Sequence, residues 1–147
     1  MSKLIGSKPS PSGAALILDY GPSDTIPINS LRGIKAHKRV SPLSEPGLVD
    51  LSADVDFTAL AEAACKASEG VEVWGPVDQG GWLEGMGGRE RANVLAKGDS
   101  KSRVEGAWSR LVDRGGSGMG RLYKVLAVVP ESGGKRVPVG FGGDVEG

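Results

Sequence analysis

Three aspartates, Asp50, Asp54 and Asp56, stand within seven residues of one another just ahead of an apolar, helix-periodic segment. Carboxylates grouped this way can bind a cation or grip a guanidinium, whose planar fork of N–H donors matches the two carboxylate oxygens. The same residue type also has a plainer use, since aspartate caps helix starts and closes turns by accepting nearby backbone N–H groups. Both readings stay open for Asp50 and Asp54, whereas Asp56 has the position of an N-cap. Asp19 ends an apolar run and is followed at once by a Tyr-Gly-Pro turn. Loops beyond the C-terminal ends of parallel strands are where α/β proteins place ligands, so Asp19 has the strongest architectural claim to an active site.

Other chemistry-bearing residues are sparse. His37 is the only histidine, and a general base needs a positioned partner, which the sequence does not name. Cys65, the single cysteine, falls on the apolar face of a helix pattern and reads as a small buried hydrophobe. It cannot form an internal disulfide, and without a Cys/His cluster no metal site is expected. The segment 116–120, GSGMG, has the spacing of a nucleotide-binding turn, but that turn must follow a strand and open a helix. Here it follows a helix pattern and enters a strand pattern, so it reads as a linker.

The elements that would position these residues are few. Residues 14–20 form the clearest strand, and its continuous apolar opening suits a central parallel strand covered on both faces. Residues 22–55 hold no long periodic segment, although 34–40 suggests a short strand between turns at Pro42, Pro46 and Gly47. Phe57, Leu60, Ala61, Ala64 and Cys65 share one helical face behind Asp56, with Gly70 as the stop. Residues 71–74 alternate as a strand ended by Gly75-Pro76. Short helices are expected over 79–85, presenting Trp82, Leu83 and Met86, and over about 89–97. A well-specified helix over 102–113 carries the stripe Val104, Ala107, Trp108, Leu111 and Val112, and Ser102 with Glu105 has the pattern of a capping box. Residues 122–129 form the last strand, closed by Pro130.

Composition sets the outer bounds. At 147 residues the chain has room for one ordinary domain. Lys plus Arg and Asp plus Glu are 18 each, and zero net charge argues against a nucleic-acid or acidic-membrane partner, which demands a basic excess. The apolar runs are far short of a membrane span. Glycine, at 24 residues, is about twice its usual share and predicts a loop-rich chain. Residues 1–13 contain no signal-peptide stretch and no arginine, so the expectation is either a cytosolic protein or a true start upstream of Met1. The secure strands number three, and the one that reads as central has a candidate neighbour on one edge alone, which predicts an α/β sheet incomplete in this chain.

Several unusual segments recur in a fixed order: GAALILDYG at 13–21, DT at 24–25, LRG at 31–33, His37, Pro42, PG at 46–47 and DLSADVDF at 50–57. GP at 75–76, Gln79, MG at 86–87 and MG at 119–120 follow. This order strongly resembles the C-terminal half of the MidA-type methyltransferases, the family of the mitochondrial complex I assembly factor that methylates arginine. The resemblance covers residues 13–129, and DLSADVDF is its most specific part.

The resemblance implies the C-terminal part of a class I, Rossmann-like sheet that uses S-adenosyl-L-methionine. Residues 14–20 would be its fifth strand, 71–74 and 122–129 its last two, with the final strand inserted antiparallel beside the fifth. The family's Gly-rich cofactor loop and its ribose-holding acid lie in the N-terminal half, so no residue here is assigned to the cofactor. Asp19, Asp50 and Asp54 are implied as the acids that orient a substrate guanidinium, with Arg32, His37 and Gln79 as substrate-binding groups. A protein substrate, a complex I subunit, and a mitochondrial location are implied likewise. The organisation expected is a loop or the end of a preceding helix at 1–12, the methyltransferase portion at 13–130, and a Gly-rich flexible tail at 131–147. The rival expectation is a truncated, non-catalytic interaction module that binds a partner protein through 22–55.

Overall fold

The apolar run becomes strand β1 (Ala15–Tyr20), preceded by the single-turn helix α1 (Ser2–Ile5). The computed structural model describes residues 1–6, 13–23, 26, 29–116, 118–133 and 136–142. The Pro-Ser segment at 9–12, Asp24-Thr25, Ser117 and the end of the tail at 143–147 lie outside the described residues. The long connection then builds a small sheet of its own from β2 (Arg32–Lys35), β3 (Lys38–Val40) and β4 (Asp50–Ser52). The strand expected over 34–40 is in fact a tight hairpin. It turns at Ala36 and His37, both with positive φ, so β2 and β3 pair antiparallel, and β4 closes the other side of β2.

Helix α2 (Phe57–Ala67) starts where Asp56 caps it, the Oδ1 atom accepting from the Ala59 N–H at 2.8 Å. It stops at Ser68 rather than at Gly70, because Gly70 is used in a tight approach to the Gly6 backbone. Strand β5 (Val71–Asp78) runs beyond the expected end, carried through the cis Gly75-Pro76 bond by a register shift between Trp74 and Val77. Helices α3 (Gln79–Gly85), α4 (Gly88–Leu95) and α5 (Lys101–Val112) follow, the last two joined by a 3₁₀ turn over Gly98–Ser100. That turn starts α5 early, so Ser102 lies inside the helix and the expected capping box does not form. The single-turn helix α6 (Met119–Leu122) leads into β6 (Tyr123–Pro130).

The larger sheet has the order β1-β6-β5, with β6 antiparallel to both neighbours. On one face, Phe57 and Ala64 of α2 and Ile5 of α1 pack against Val71, Leu126 and Val128, and Ala15 and Ile17 join from β1. Phe57, Val125, Leu126 and Val128 are fully buried, each contributing about 1.5–3 kcal/mol of transfer free energy. Cys65 is exposed rather than buried. It sits at the rim of the α2 stripe, where the sheet no longer reaches. The stripe of α5 is likewise narrower than its pattern, since Trp108 is buried but Ala107 and Leu111 are exposed. Among the described residues, no helix is long and apolar enough to cross a membrane.

Among the described residues β1 pairs with β6 alone, and antiparallel, the one-sided neighbourhood expected of a sheet incomplete in this chain. Its outward residues Leu16 and Leu18 are 53% and 44% exposed. The sequence reading of a doubly covered strand and the structure agree on one point: the apolar surface is there, but nothing in the described chain covers it.

An unpaired apolar edge templates association with other strands. The 147-residue chain on its own should therefore self-associate, and Leu18→Lys should shift it toward monomer in sedimentation velocity. A monodisperse wild-type monomer with sharp cooperative unfolding would contradict this. In the Leu18→Lys background, denaturant unfolding should rank three substitutions. Trp108→Ala should cost about 3–5 kcal/mol, Asp56→Ala about 1 kcal/mol as a lost cap, and Ser102→Ala under about 0.5 kcal/mol as a surface change.

Candidate functional site

The chain leaves β1 through Gly21, and Gly21 decides how the two sheets meet. A Cβ there would lie 2.3 Å from the Val55 carbonyl oxygen and 2.8 Å from its nitrogen. Only glycine permits this approach, which lets Val55 N–H donate to the Tyr20 carbonyl at 2.9 Å while Gly21 N–H donates to Leu122 at 3.2 Å. Thr58 adds a hydroxyl bond to the Ser23 carbonyl at 2.8 Å. The return of the long connection is thus tied beside its own departure, and Asp54 is carried next to the end of β1.

From the small sheet, Arg32 reaches the same point. Its register partner is Ser52, and Gly33 behind it is pressed against Val49, Ser41 and Val40 with no room for a side chain. Arg32 Nη1 bonds Asp54 Oδ1 at 2.6 Å and the Ser30 carbonyl at 3.0 Å. The guanidinium carbon lies 4.7 Å from the centroid of the Tyr20 ring, which in turn meets Tyr123 edge-on at 5.3 Å. Both members of the ion pair are only 13% exposed. An attraction this poorly screened exceeds that of a surface pair, but its partners have surrendered water, so losing one partner costs more than the pair contributes net.

Around this junction runs a cavity of about 340 Å³ lined by residues of both sheets, among them Tyr20, Arg32, Asp54 and Lys124. Lys124 is buried, and its Nζ donates to Asp78 Oδ1 and to the Arg121 carbonyl, each at 2.5 Å. Asp19 is opposite Lys124 in the β1–β6 register. Its side chain is exposed, with Oδ1 accepting from Tyr20 N–H at 2.7 Å.

Of the six residues singled out from the sequence, the structure brings Asp54 and Arg32 into contact and sets Asp19 at the end of the adjoining strand. Asp50 is at the start of β4, exposed, on the same strand run that delivers Asp54. His37 is exposed in the β2–β3 turn. Gln79 is apart from these, buried at the start of α3 with Nε2 donating to the Leu111 carbonyl of α5 at 2.9 Å. The cavity-lining Arg39, Arg121 and Lys124 escaped the sequence reading. Arg121 and Lys124 are three residues apart, and Arg39 joins them only through the fold.

The glycine turn does not fit a cofactor. A Cβ at Gly118 would lie 2.1 Å from the Asp113 carbonyl oxygen, and one at Gly120 would lie 2.4 Å from the Val112 carbonyl group. These glycines admit the end of α5 against α6, so their free space is already filled by the chain itself. Gly118 and Gly120 therefore leave no space for S-adenosyl-L-methionine to rest on them.

The order β1-β6-β5, with the last strand antiparallel in the middle, is the closing part of a Rossmann-like methyltransferase sheet. The chain belongs to the S-adenosyl-L-methionine-dependent methyltransferase family Methyltransf_28, whose family model matches residues 2–77. It is similar to the protein arginine methyltransferase NDUFAF7 homolog, mitochondrial, of Drosophila melanogaster, with 36% identity over 80% of this chain and 27% of the fly protein. Protein arginine methyltransferase NDUFAF7, mitochondrial, of Xenopus tropicalis is 35% identical over 90% of this chain and 30% of its own length. A Burkholderia thailandensis protein solved with S-adenosyl-homocysteine bound superposes with a TM-score of 0.64 at 25% identity, covering 89% of this chain and 33% of that one. The chain thus spans under a third of the length of these two relatives.

The ion pair can be weighed directly. Asp54→Ala and Arg32→Ala should each destabilise the Leu18→Lys background by about 3 kcal/mol. The double substitution should cost clearly less than the sum, because the second removal no longer strands a partner. Additive losses in a denaturant-unfolding cycle would show that the two residues act independently.

Proposed function

We propose that this chain is the substrate-side portion of an S-adenosyl-L-methionine-dependent protein arginine methyltransferase that acts in the assembly or stability of mitochondrial respiratory complex I. Its substrate would be a protein, in this reading a complex I subunit, and the cofactor would be held by residues that this chain does not contain. The observation that carries the reading is the 36% identity to the fly arginine methyltransferase over four-fifths of the chain. The geometry supports it in one respect. The rim of the cavity already holds one guanidinium between a carboxylate and an aromatic ring, the kind of environment that fixes the plane of an arginine head group.

In this reading Asp54 and Asp19 orient the incoming guanidinium. Asp54 keeps Oδ2 available while Oδ1 is engaged by Arg32, and Asp19 presents an exposed carboxylate at the end of β1. Asp50 extends the acidic run on β4. Arg32 acts as a positioning residue for Asp54 and Tyr20, His37 stands as a more distant substrate-side residue, and Gln79 ties α3 to α5 instead of meeting substrate.

The test joins this chain to the N-terminal segment of the fly relative and measures cofactor binding by titration calorimetry and transfer to an arginine peptide. The chain alone should bind S-adenosyl-L-methionine no better than a control protein, and the joined protein should both bind and transfer. In the joined protein, Asp19→Ala or Asp50→Ala should lower turnover by about a hundredfold through lost orientation, with cofactor affinity held within about twofold. Tight cofactor binding by the short chain would place the cofactor site within it and overturn the reading. A joined protein that binds cofactor but transfers nothing would favour the non-catalytic interaction module.

A further inference from the structure

The cavity between the two sheets carries more positive charge than its aspartates answer. Four cations line it: Arg32, Arg39, Arg121 and Lys124. Arg32 is taken up by Asp54, and Lys124 by Asp78 and a backbone carbonyl. Arg39 and Arg121 remain, and among the described residues neither side chain has a hydrogen bond or ion pair. They come to the cavity from different parts of the fold, Arg39 from β3 of the small sheet and Arg121 from α6 ahead of β6. In a chain of zero net charge, two unspent guanidiniums facing one cavity make a local positive site.

We infer that this cavity seats a carboxylate side chain of the protein substrate, so that the arginine to be methylated lies a few residues from an Asp or Glu. The inference rests on the proposed function and adds a sequence requirement to its substrate. Guanidinium forks are geometrically matched to carboxylates. Two acidic groups, Asp54 and Asp19, would orient the substrate arginine. Asp54 itself lines the cavity, and Asp19 lies between two strand positions that do, Tyr20 beside it and Lys124 across from it. An extended peptide advances about 3.3–3.6 Å per residue, so one short segment can place its arginine on the aspartates and its acid on Arg39 and Arg121. A nucleic acid is disfavoured, because its affinity is built on a continuous track of cations rather than two.

The test uses the full 147-residue chain immobilised at low density on a biosensor, where copies cannot meet. Four peptides are compared: one with Arg and a nearby Glu, and three that replace Glu by Gln, Glu by phosphoserine, or Arg by Lys. The Glu peptide should bind about tenfold tighter than the Gln peptide, the scale of one charge-assisted hydrogen bond. That advantage should shrink as ionic strength rises and disappear in Arg39→Gln/Arg121→Gln. The Lys peptide should keep the Glu advantage, which separates the anion site from arginine recognition. Arg39→Gln alone, on an exposed strand, should lose part of the preference and serves if the double variant fails to fold by circular dichroism. Equal binding of the Glu and Gln peptides, or none by either, overturns the inference. Binding of the phosphoserine peptide alone overturns the carboxylate assignment. A retained Glu preference in a joined protein that transfers no methyl group would sink the proposed reaction and leave the anion site standing.

Discussion

The approach of Gly21 to the Val55 backbone is the constraint on which the rest of the site depends. The connection between β1 and α2 is long, and closing a long loop costs entropy that its contacts must offset. Here the closure is made chiefly by backbone, with Val55 bonded to Tyr20 and Gly21 bonded to Leu122, and Thr58 adds its hydroxyl. Once 53–55 lies beside the end of β1, Asp56 is in place to cap α2 and Asp54 is held beside the Tyr20 ring. Arg32 of the small sheet then meets Asp54, and the ion pair follows from the crossing rather than creating it. A side chain at position 21 would remove the bond, the cap geometry and the acid together.

That order of causes explains why much of the fold could be read in the sequence while the site could be read only in part. The strands around 15–20 and 123–130 and the helices around 57–67 and 101–112 announce themselves by local periodicity, which survives without knowledge of partners. The antiparallel insertion of β6 beside β1 came from family resemblance, since no spacing within the chain encodes strand order. The errors have a common source as well. Cys65 and Leu111 fit an apolar stripe but lie past the edge of what the stripe packs on. Ser102 matches a capping pattern, but the preceding 3₁₀ turn moved the helix start. Each is a tertiary boundary imposed on a correct local pattern.

Asp54 was visible as a residue with two readings, and the fold does not choose between them by exclusion. It gives Asp54 a structural partner in Arg32 and keeps it at the wall of a cavity. Arg121 and Lys124 are neighbours in the sequence, but Arg39 lay beyond sequence reasoning because it joins them only when two sheets abut. Electrostatic sites assembled across a seam leave no periodic trace.

The exposed face of β1 and the filled glycine turn point the same way from independent physics. Leu16 and Leu18 expose apolar area that a stable isolated domain would cover, so the sheet calls for a further layer and a further strand. Gly118 and Gly120 are consumed in packing α5 against α6, so these two glycines are not free to form the phosphate-type turn on which nucleotide-like cofactors rest. An isolated interaction module would have to explain the first fact by a partner protein and the second as accident. The proposed methyltransferase portion needs only one neighbour, if the segment that covers β1 is also the one that holds the cofactor. In the proposed function one neighbour would account for both observations, and the cavity between the two sheets would be this chain's share of the substrate side.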